Sequence, residues 1–565
     1  GCLVADGQLR HVILRIASGS SVRPRSARSM PRVPRSSLVR LAASPDAVVA
    51  AALERLGAVR EPDGTFVVAA PFDSQPAIVL SLRLHPGADG TDLEVTSTGS
   101  IDIPFFGWFF QPLVGIAHRR ARAHAVETIR AALEDRPSPR RPRTVVGLPP
   151  VAFSSEQSVF IATASAATAI VTFSAALFGQ LTSPISDSFH ATDTTIGIAL
   201  ALTRLGALFA LFAIAIADRR GRRRSILIGV VGSAIVCALS AVAPNLIAFT
   251  SAQVLQRGLV GTTGTVAFLA VVEEAPEGAR AYAASMLALA AGFGFSFSVV
   301  TLPIADVVSW GWRIPFALAA TTIFLAPAIA RHLRETARYT ALAARADVVR
   351  GRARDVFTLH GRRLVLLGAV AFLTSLFSGP SSQFTNKYLT DVRGFSNTDI
   401  AAFRSVTTAL PGIIGVLLGA RLAEARGRRP VAALALAIAT ATQMIFFLSG
   451  GPTLWAMSAL SVLMAGAGGI ALGTLDAELF PTEVRSTSNA MLYVLGVLGS
   501  ATGLVLAGSL SDRLGGIGHS VAVMGIGSLF VAVFVVPLLP ESAARSLDDV
   551  SPTHVTDGDI DADPP

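Results

Sequence analysis

Long hydrophobic stretches separated by short polar segments dominate the chain from about residue 151 onward. Four of them, at residues 157–186, 225–256, 281–305 and 430–475, contain no Asp, Glu, Lys or Arg. A helix that crosses a bilayer needs roughly 20 apolar residues, so each stretch is long enough for one span and two are long enough for a hairpin. The whole pattern predicts twelve transmembrane helices, centred near residues 170, 207, 232, 259, 292, 321, 373, 410, 439, 464, 498 and 527.

Residues 36–135 carry a different pattern, which is typical of a small soluble α+β domain. Ser44 and Pro45 predict an N-cap and a first-turn proline for a helix that ends near Leu56. Alternating apolar and polar residues predict three strands, at 65–69, 77–85 and 91–97. A long helix then closes the domain, and its apolar stripe consists of Phe110, Val114, Ala117, Ala121, Ala125, Ile129 and Ala132. This order of elements resembles that of helix-grip domains, which bind hydrophobic ligands.

The segments that flank these two parts have biased compositions. Residues 1–35 are rich in Arg and Ser, which predicts a disordered or spurious extension, and residues 136–150 form a Pro- and Arg-rich linker. Residues 546–565 are acidic and predict a disordered tail. Between them, we predict an N-terminal six-helix half at 151–343, a cytoplasmic loop at 344–363 and a C-terminal six-helix half at 364–545.

The composition agrees with a membrane protein and excludes several other classes. Hydrophobic residues make up 52% of the chain and charged residues only 15%, where a soluble protein carries about 25% charged. The net charge of +9 does not indicate nucleic-acid binding, because the arginines lie between hydrophobic spans and no aromatic-interleaved basic patch is present. The two cysteines, Cys2 and Cys237, have no metal-ligand spacing, and no nucleophile–base pair is recognisable, so we predict neither an enzyme nor a metal or cofactor site.

The distribution of basic residues predicts the orientation of the spans. Nine arginines lie between Arg331 and Arg363 alone, in the loop after the sixth span. The loops on the opposite side hold only Arg313, Lys387, Arg393 and Arg513, and Lys387 is the one lysine of the chain. By the positive-inside rule the arginine-rich loops face the cytoplasm. Because the number of spans is even, both termini are then expected on the cytoplasmic side of the plasma membrane.

Three loop motifs recur at almost one offset, which indicates that the membrane part is duplicated. The sequence Asp218–Arg223 returns as Glu424–Arg429, 206 residues later. Glu273 and Glu478, 205 residues apart, each precede a proline by three residues and an arginine by seven. Glu335 and Glu541 are again 206 residues apart. Chance matches would not keep one register over three loops, so we predict two parallel copies of a six-helix unit.

These motifs and their places between the spans resemble the major facilitator superfamily over residues 151–545. The loop Asp218–Arg223 is similar to the signature cytoplasmic loop of that superfamily, and Glu424–Arg429 is similar to its second copy. Trp312-Arg313, Arg334-Glu335, the segment 478–485 and Pro540-Glu541 are similar to motifs of sugar porters and metabolite:proton symporters. The resemblance implies an all-α polytopic membrane protein with 12 transmembrane helices in two six-helix halves, preceded here by the small α+β domain.

The resemblance also implies a charged network that closes the cytoplasmic face. In this interpretation Asp218 pairs with arginines of the first half, and duplicated loop residues join the helices of both halves. The predicted gate and signature-loop residues are Asp218, Arg219, Gly221, Arg222, Arg223, Glu273, Glu274, Arg280, Glu424, Gly427, Arg428, Glu478 and Arg485. The alternative is that the loop arginines only fix the topology, and this alternative is favoured for Arg220, Arg224 and Arg426.

A few polar residues inside the spans are candidates for a solute or coupling-ion cavity, because ionisable groups in a bilayer are costly and usually face a cavity or a partner. They are Arg204, Arg257, Gln383, Asn386 and Asp476. The amides suit a neutral polyhydroxylated solute, whereas the arginines suit a carboxylate, and the sequence leaves both open. Arg257 could instead have a helix-packing role. The first span lacks the carboxylate common in sugar:proton symporters, so proton coupling and facilitated diffusion both stay open.

The resemblance implies a transporter that moves a small polar solute, such as a sugar, a polyol or an organic acid-like metabolite, by alternating access. Its expected partners are the solute, the lipid bilayer and, where transport is coupled, protons, and a monomer is expected. The alternative from another class is a membrane-tethered sensor. In that case the N-terminal domain binds a ligand and the twelve spans form a scaffold that does not transport.

Overall fold

The structure is a computed structural model that describes residues 35–68, 78–87, 90–98, 110–140, 148–149, 151, 153–209, 221–276, 279–335, 353–480 and 482–541. Within these ranges the side chains at 35, 281, 353–360, 424, 476–478 and 482–487 are outside the described part. The described residues form two compact units, one before residue 153 and one from Phe153 onward.

The first unit contains a five-stranded antiparallel sheet. Its strands are β1 (Arg35–Leu41), β2 (Val59–Arg60), β3 (Phe66–Val68), β4 (Val79–Gly87) and β5 (Gly90–Thr98), and they lie in the order β1-β5-β4-β3-β2. Buried and half-buried residues alternate strictly along β5, as expected for a strand with one face on a core. Strand β1, whose Leu38 pairs with Glu94, lies in a segment for which the sequence pattern predicts no element.

Two helices cover one face of this sheet and complete its core. Helix α1 (Pro45–Leu56) begins at the predicted N-cap, where the Ser44 hydroxyl accepts a hydrogen bond from the Ala47 N–H. It ends at Gly57, whose φ of 62° is accessible to glycine at little cost. Helix α2 (Gln111–Leu133) buries most of the predicted apolar stripe. The buried core residues include Val48, Leu80, Leu82, Leu93, Val95, Ala117, Ala121, Ala125 and Ile129.

The second unit contains eleven helices long and apolar enough to cross a membrane among the described residues. In the first half they are spans 1 (Ser155–Gln180), 3 (Arg222–Ala241), 4 (Leu246–Glu274), 5 (Tyr282–Asp306) and 6 (Arg313–His332). Span 2 begins as the helix Asp193–Gly206 and has its predicted centre at the edge of the segment 210–220, which lies outside the described residues. A short helix, Thr182–Ser188, links spans 1 and 2.

The second half contains the remaining six spans. They are spans 7 (Gly361–Asp391), 8 (Asn397–Ala423), 9 (Arg428–Leu448), 10 (Gly451–Leu475), 11 (Ser488–Ser511) and 12 (Ile517–Leu538). Many large apolar side chains on the outside of the bundle stay exposed, among them Ile247 and Phe324, each 80% exposed. Such exposure suits contact with lipid. The predicted all-α fold of two six-helix halves is confirmed.

The two halves pack against each other through span 2 with span 11, span 5 with span 8, and span 7 with span 1 and the short helix that follows it. Glycines allow close approach in the first pair. A Cβ at Gly197 would lie 2.6 Å from the Leu504 carbonyl oxygen, and one at Gly508 would lie 2.3 Å from the Asp193 carbonyl oxygen.

The end of the bundle with the loops after spans 2, 4, 6, 8 and 10 is called the arginine-rich end, and the opposite end is called the arginine-poor end.

Candidate functional site

At the arginine-rich end, the Glu335 side chain caps the N-terminus of the span 3 helix. Its carboxylate accepts hydrogen bonds from the backbone N–H groups of Arg222, at 2.7 Å, and Arg223, at 3.3 and 3.4 Å. These N–H groups have no partner within their helix, and the positive end of the helix dipole favours a carboxylate there. Gly221 has a φ of 96°, and a Cβ on it would lie 2.4 Å from Glu335 Oε2. The signature loop therefore needs glycine at this position.

The second half repeats this arrangement at the start of span 9. Glu541 accepts hydrogen bonds from the N–H groups of Arg428, at 3.0 Å, and Arg429, at 3.1 Å. Gly427 has a φ of 99°, and a Cβ on it would lie 2.8 Å from Glu541 Oε2. Because Glu335 and Glu541 are 206 residues apart, the duplication seen in the sequence is also a duplication of contacts.

Removing the Glu335 carboxylate is expected to destabilise the first half. Glu335→Ala leaves the part-buried Arg222 N–H and the exposed Arg223 N–H without their acceptor, at a cost on the order of 2 kcal/mol for hydrogen bonds to a charged group. Thermal unfolding in detergent should show a clear fall in the melting temperature. Glu541→Ala should give a similar fall, whereas the control Glu156→Ala, at an exposed ion pair, should change little. Equal melting temperatures for wild type and Glu335→Ala would contradict the capping role.

Further charge pairs join the helices of the first half at the same end. Arg222 is 9% exposed, and its Nη2 lies 3.3 Å from Glu273 Oε1 on span 4. Arg334 bridges Glu156 at 2.5 Å and Glu274 at 2.6 Å, which ties the end of span 6 to spans 1 and 4. The hydrogen bond to Glu156 raises the pKa of Arg334, so the guanidinium stays charged at any physiological pH.

Several predicted gate residues lie partly or wholly outside the described residues. Asp218 and Arg219 are in the segment 210–220, and the side chains of Glu424, Glu478 and Arg485 are also outside the described part. Arg280 begins the helix of span 5 at this end. The gate therefore stays a prediction, and its described members are joined by the contacts within each half given above.

At the arginine-poor end, polar contacts join the two halves. Lys387 of span 7 is 5% exposed and lies between Asp391 of its own helix, at 2.5 Å, and Asp193 of span 2, at 3.3 Å. Ser511 donates to Asp193 over 2.6 Å, and Ser183 donates to Asp391 over 2.6 Å. Three of these four contacts cross between the halves. The one lysine of the chain therefore lies at the centre of a charged cluster that holds this end together.

A fourth carboxylate lies close to this cluster. Asp187 belongs to the short helix between spans 1 and 2. Burial raises the pKa of Asp187, the negative charge of Asp391 raises it further, and Lys387 opposes the shift. The arginine-poor end thus collects more carboxylates than ammonium groups, which increases the importance of Lys387 for its closure.

Two further contacts join the halves at this end. Asp306, at the end of span 5, accepts hydrogen bonds from Asn397 Nδ2, at 2.6 Å, and from the Thr398 N–H, at 3.1 Å, at the start of span 8. Asn386 donates to Gln180 Oε1 over 2.7 Å, and these two residues are equivalent positions 206 residues apart. A contact between equivalent positions lies on the pseudo-two-fold axis that relates the halves.

The main cavity lies between the halves and has a volume of about 720 Å³. Arg204, Ala207 and Arg257 form its first-half wall. The second-half wall comes from spans 7, 10 and 11 and consists of Ala371, Ser375, Ser378, Gly379, Ser382, Gly473, Asn489, Leu492, Tyr493, Gly496, Val497 and Ser500. Since Asn489 lies at the arginine-rich end of span 11, the cavity runs from the middle of the bundle toward that end.

A second, small cavity of about 20 Å³ continues from the same two arginines. Its lining includes Gln253, Gln256 and Gln383 together with Arg204 and Arg257. The volume is enough for about one water molecule. Gln256 donates to Ser233 over 2.6 Å, while its buried Oε1 has no hydrogen-bond partner among the described residues. Arg204 and Arg257 therefore lie between the large polar cavity and the small cavity lined by glutamine amides.

The structure brings together three of the five predicted cavity residues. Arg204, Arg257 and Gln383 share the lining of the small cavity. Asn386 lies instead at the arginine-poor end, where it is 2% exposed and accepts hydrogen bonds from Arg404 over 2.9 and 3.0 Å. The side chain of Asp476 is outside the described residues. No acidic side chain of the described residues lines either cavity.

Other polar lining residues were not among the sequence candidates. They are Ser375, Ser378, Ser382, Asn489, Tyr493 and Ser500. The spacing of the first three, at intervals of three and four, places them on one helix face and is the signal that could have identified them. Ser500 has no such signal, because a lone serine in a span usually bonds its own helix backbone.

Two six-span halves that close together at one end and enclose a shared cavity define the architecture of a secondary membrane transporter. Comparison with known proteins agrees with this class. The sequence profile described as Major Facilitator Superfamily matches residues 163–475, which is more than half of the chain. The chain belongs to the major facilitator superfamily.

Individual relatives carry names of metabolite transporters. An inner membrane metabolite transport protein of Escherichia coli (strain K12) is 30% identical over 300 residues, which is 47% of this chain and 64% of the relative. The chain thus spans less than two thirds of that relative. The alpha-ketoglutarate permease of the same organism is 26% identical over 305 residues, 50% of this chain and 68% of the permease.

A solved structure shows the same fold. The inward-open conformation of a xylose transporter from E. coli matches with a TM-score of 0.55 and covers 69% of this chain and 98% of that one. Its sequence is only 15% identical, so the match concerns the fold alone.

Proposed function

We propose that this chain is a secondary transporter that carries a small organic anion across the plasma membrane by alternating access. The observation that carries the proposal is the 720 Å³ cavity between the halves, together with the polar contacts that join the halves at the arginine-poor end. A site between two halves is exposed to one side or the other as the halves rock. The described geometry corresponds to a state that is closed at the arginine-poor end.

The charge of the cavity supports an anion as the solute. Arg204 and Arg257 come from neighbouring spans of one half and line both cavities. An arginine binds a carboxylate through charge-assisted hydrogen bonds that are stronger than neutral ones. Arg204 makes a long contact of 3.4 Å with Ser382, which leaves donors of its guanidinium available. The name of the E. coli permease for alpha-ketoglutarate, a dicarboxylate, is in keeping with this class.

The orientation follows from the arginine distribution. We place the arginine-rich end and both termini in the cytoplasm by the positive-inside rule. The described state is then inward-facing. In the outward-facing state the arginine-rich end must close. We assign this closure to the predicted gate residues, of which Glu273, Arg280 and Arg428 lie at that end. Proton coupling belongs to the same proposal, with Asp476 as its candidate carboxylate.

Flux measurements with purified protein in liposomes test the proposal. Liposomes loaded with unlabelled dicarboxylate should accumulate labelled dicarboxylate by exchange, at a rate that saturates with external concentration. Empty liposomes are the control. Uptake with and without an imposed pH gradient then tests coupling. Saturable binding without any flux would contradict transport and would favour the sensor, in which the α+β domain binds the ligand.

A further inference from the structure

The two walls of the main cavity differ in chemistry. The first-half wall presents two guanidinium groups, Arg204 and Arg257. The second-half wall presents hydroxyl and amide groups, which belong to Ser375, Ser378, Ser382, Asn489, Tyr493 and Ser500. A solute that fills the space between them meets positive charge on one side and neutral hydrogen-bonding groups on the other.

The hydroxyl groups are arranged as a surface and not as isolated side chains. Ser375, Ser378 and Ser382 follow one face of span 7, because residues three and four apart are neighbours on a helix. Ser382 donates to the Gly379 carbonyl oxygen over 2.9 Å and keeps its acceptor capacity for Arg204 or a ligand. Span 11 adds Ser500 opposite Gly379, where a Cβ would meet the Ser500 hydroxyl at 2.2 Å. The two spans therefore bring their hydroxyl groups close together.

Ser500 is an unsatisfied group within this surface. The residue is 7% exposed, lines the cavity, and its hydroxyl has no hydrogen-bond partner among the described residues. A buried hydroxyl without a partner costs free energy, and a polar group of a bound solute would remove that cost. A site with such a group discriminates strongly against ligands that lack the matching group.

Resting on the proposed function, we propose that the transported solute is a polyhydroxylated carboxylic acid. Its carboxylate binds Arg204 and Arg257, and its hydroxyl groups bind the serine surface of spans 7 and 11. A hydroxyl-free acid would leave Ser500 unsatisfied and desolvate the other serines. A neutral polyol would leave both guanidinium groups without a counter-charge. A solute of this kind also contacts both halves at once, which couples solute binding to the relative movement of the halves.

Three six-carbon probes separate these possibilities. Gluconate carries a carboxylate and hydroxyl groups, hexanoate carries only the carboxylate, and sorbitol carries only hydroxyl groups. Binding to the full-length protein in detergent is measured for each by ligand-dependent thermal stabilisation. Gluconate should bind at least about tenfold more tightly than hexanoate and sorbitol, which is the effect of one buried polar contact. Equal affinities for gluconate and either of the other two would overturn the proposal.

Two variants test which wall of the main cavity binds the carboxylate of the ligand and which wall binds its hydroxyl groups. Ser500→Ala should reduce the preference for gluconate over hexanoate by at least about fivefold while the affinity for hexanoate is unchanged. Arg257→Gln should reduce the preference for gluconate over sorbitol. Ser509→Ala is the control on the same span, since Ser509 lines neither cavity and bonds the Leu506 carbonyl oxygen. Unaltered preferences in both cavity variants would also overturn the proposal.

The transport assay keeps this proposal separate from the proposed function. Exchange of a dicarboxylate without any preference for gluconate would overturn the substrate assignment and leave transport intact. A clear preference for gluconate in binding, without flux of gluconate into liposomes, would overturn transport and leave the chemistry of the cavity intact.

Discussion

Replacing Arg257 with glutamine is expected to raise the KM for the proposed anionic solute by about 10- to 100-fold, because a hydrogen bond to a charged group is worth about 1.5–3 kcal/mol and each 1.4 kcal/mol is a factor of ten. Arg257 lines both cavities, so its guanidinium is positioned to contact the solute from the first half. The measurement is the concentration dependence of uptake into liposomes. Expression and melting temperature should change little, since no described acidic residue pairs with Arg257.

Two controls accompany this prediction. Arg257→Lys keeps the charge but loses the planar fork of the guanidinium, so it should restore only part of the affinity. Arg421→Gln removes an exposed arginine of the second half that lines neither cavity, and its KM should equal that of the wild type. If Arg257→Gln also retained the wild-type KM, the solute would have to bind elsewhere.

The length and composition of the apolar stretches were enough to predict the fold. A span must satisfy its backbone within its own helix, so apolar length alone locates it along the chain. Eleven of the twelve predicted centres fall within a described candidate span, for example Thr321 in span 6 and Leu498 in span 11, and the twelfth, Ala207, directly follows the helix Asp193–Gly206. The duplication was equally visible, because loops that cap helices need the same residues in both copies. Glu335 and Glu541 show why, since each accepts the N–H groups at the start of a span.

The contacts between the halves could not be predicted in this way. Asp193 and Lys387 are far apart in sequence, and Asp306 and Asn397 also lie on different halves. No periodic pattern connects such residues, and span packing decides which of them meet. Asn386 illustrates the consequence, because its amide suits a cavity but its position on the pseudo-two-fold axis directs it to Gln180. Strand β1 was missed for a related reason, since its pairing with β5 is not local.

Some of the cavity residues could be predicted from the sequence, because they occur in one half and have no equivalent residue in the other. At an offset of 206 residues, Arg204 corresponds to Leu410 and Arg257 corresponds to Leu463. Residues that serve the fold recur in both halves, as Gly221 and Gly427 do. A charged residue in a span that occurs in only one half is therefore a candidate for binding. The serine surface of span 7 is harder to identify, because serines in spans also satisfy themselves on the helix backbone.

Replacing Lys387 with methionine is expected to open the arginine-poor end. Lys387 is the cation between Asp193 and Asp391, and its removal leaves two carboxylates facing each other across the halves. Removing one partner of a fully buried charge pair costs 3–5 kcal/mol, but these carboxylates keep 24% and 34% of their side-chain surface, so we expect about 2 kcal/mol. That energy shifts the equilibrium between the two states about thirtyfold toward the one open at this end.

The shift is measurable as the reactivity of a cysteine that the closed end protects. Thr194 lies against Gly508 across the halves, so Thr194→Cys, with Cys2 and Cys237 replaced by serine, should react slowly with a maleimide. Adding Lys387→Met should accelerate labelling at least about tenfold, consistent with the expected energy. The uptake rate should fall, because the transporter must close this end in every cycle.

Two further variants test whether the faster labelling results from loss of the Lys387–Asp193 ion pair between the halves. Arg393→Met is the control, since Arg393 lies at the same end but donates to Tyr388 of its own half over 2.8 Å. It should leave labelling unchanged. Adding Asp193→Asn to Lys387→Met removes the carboxylate that lost its partner and should return labelling part of the way to the wild-type rate. Equal labelling in wild type and Lys387→Met would mean that glycine packing and Asp306 close this end without the lysine.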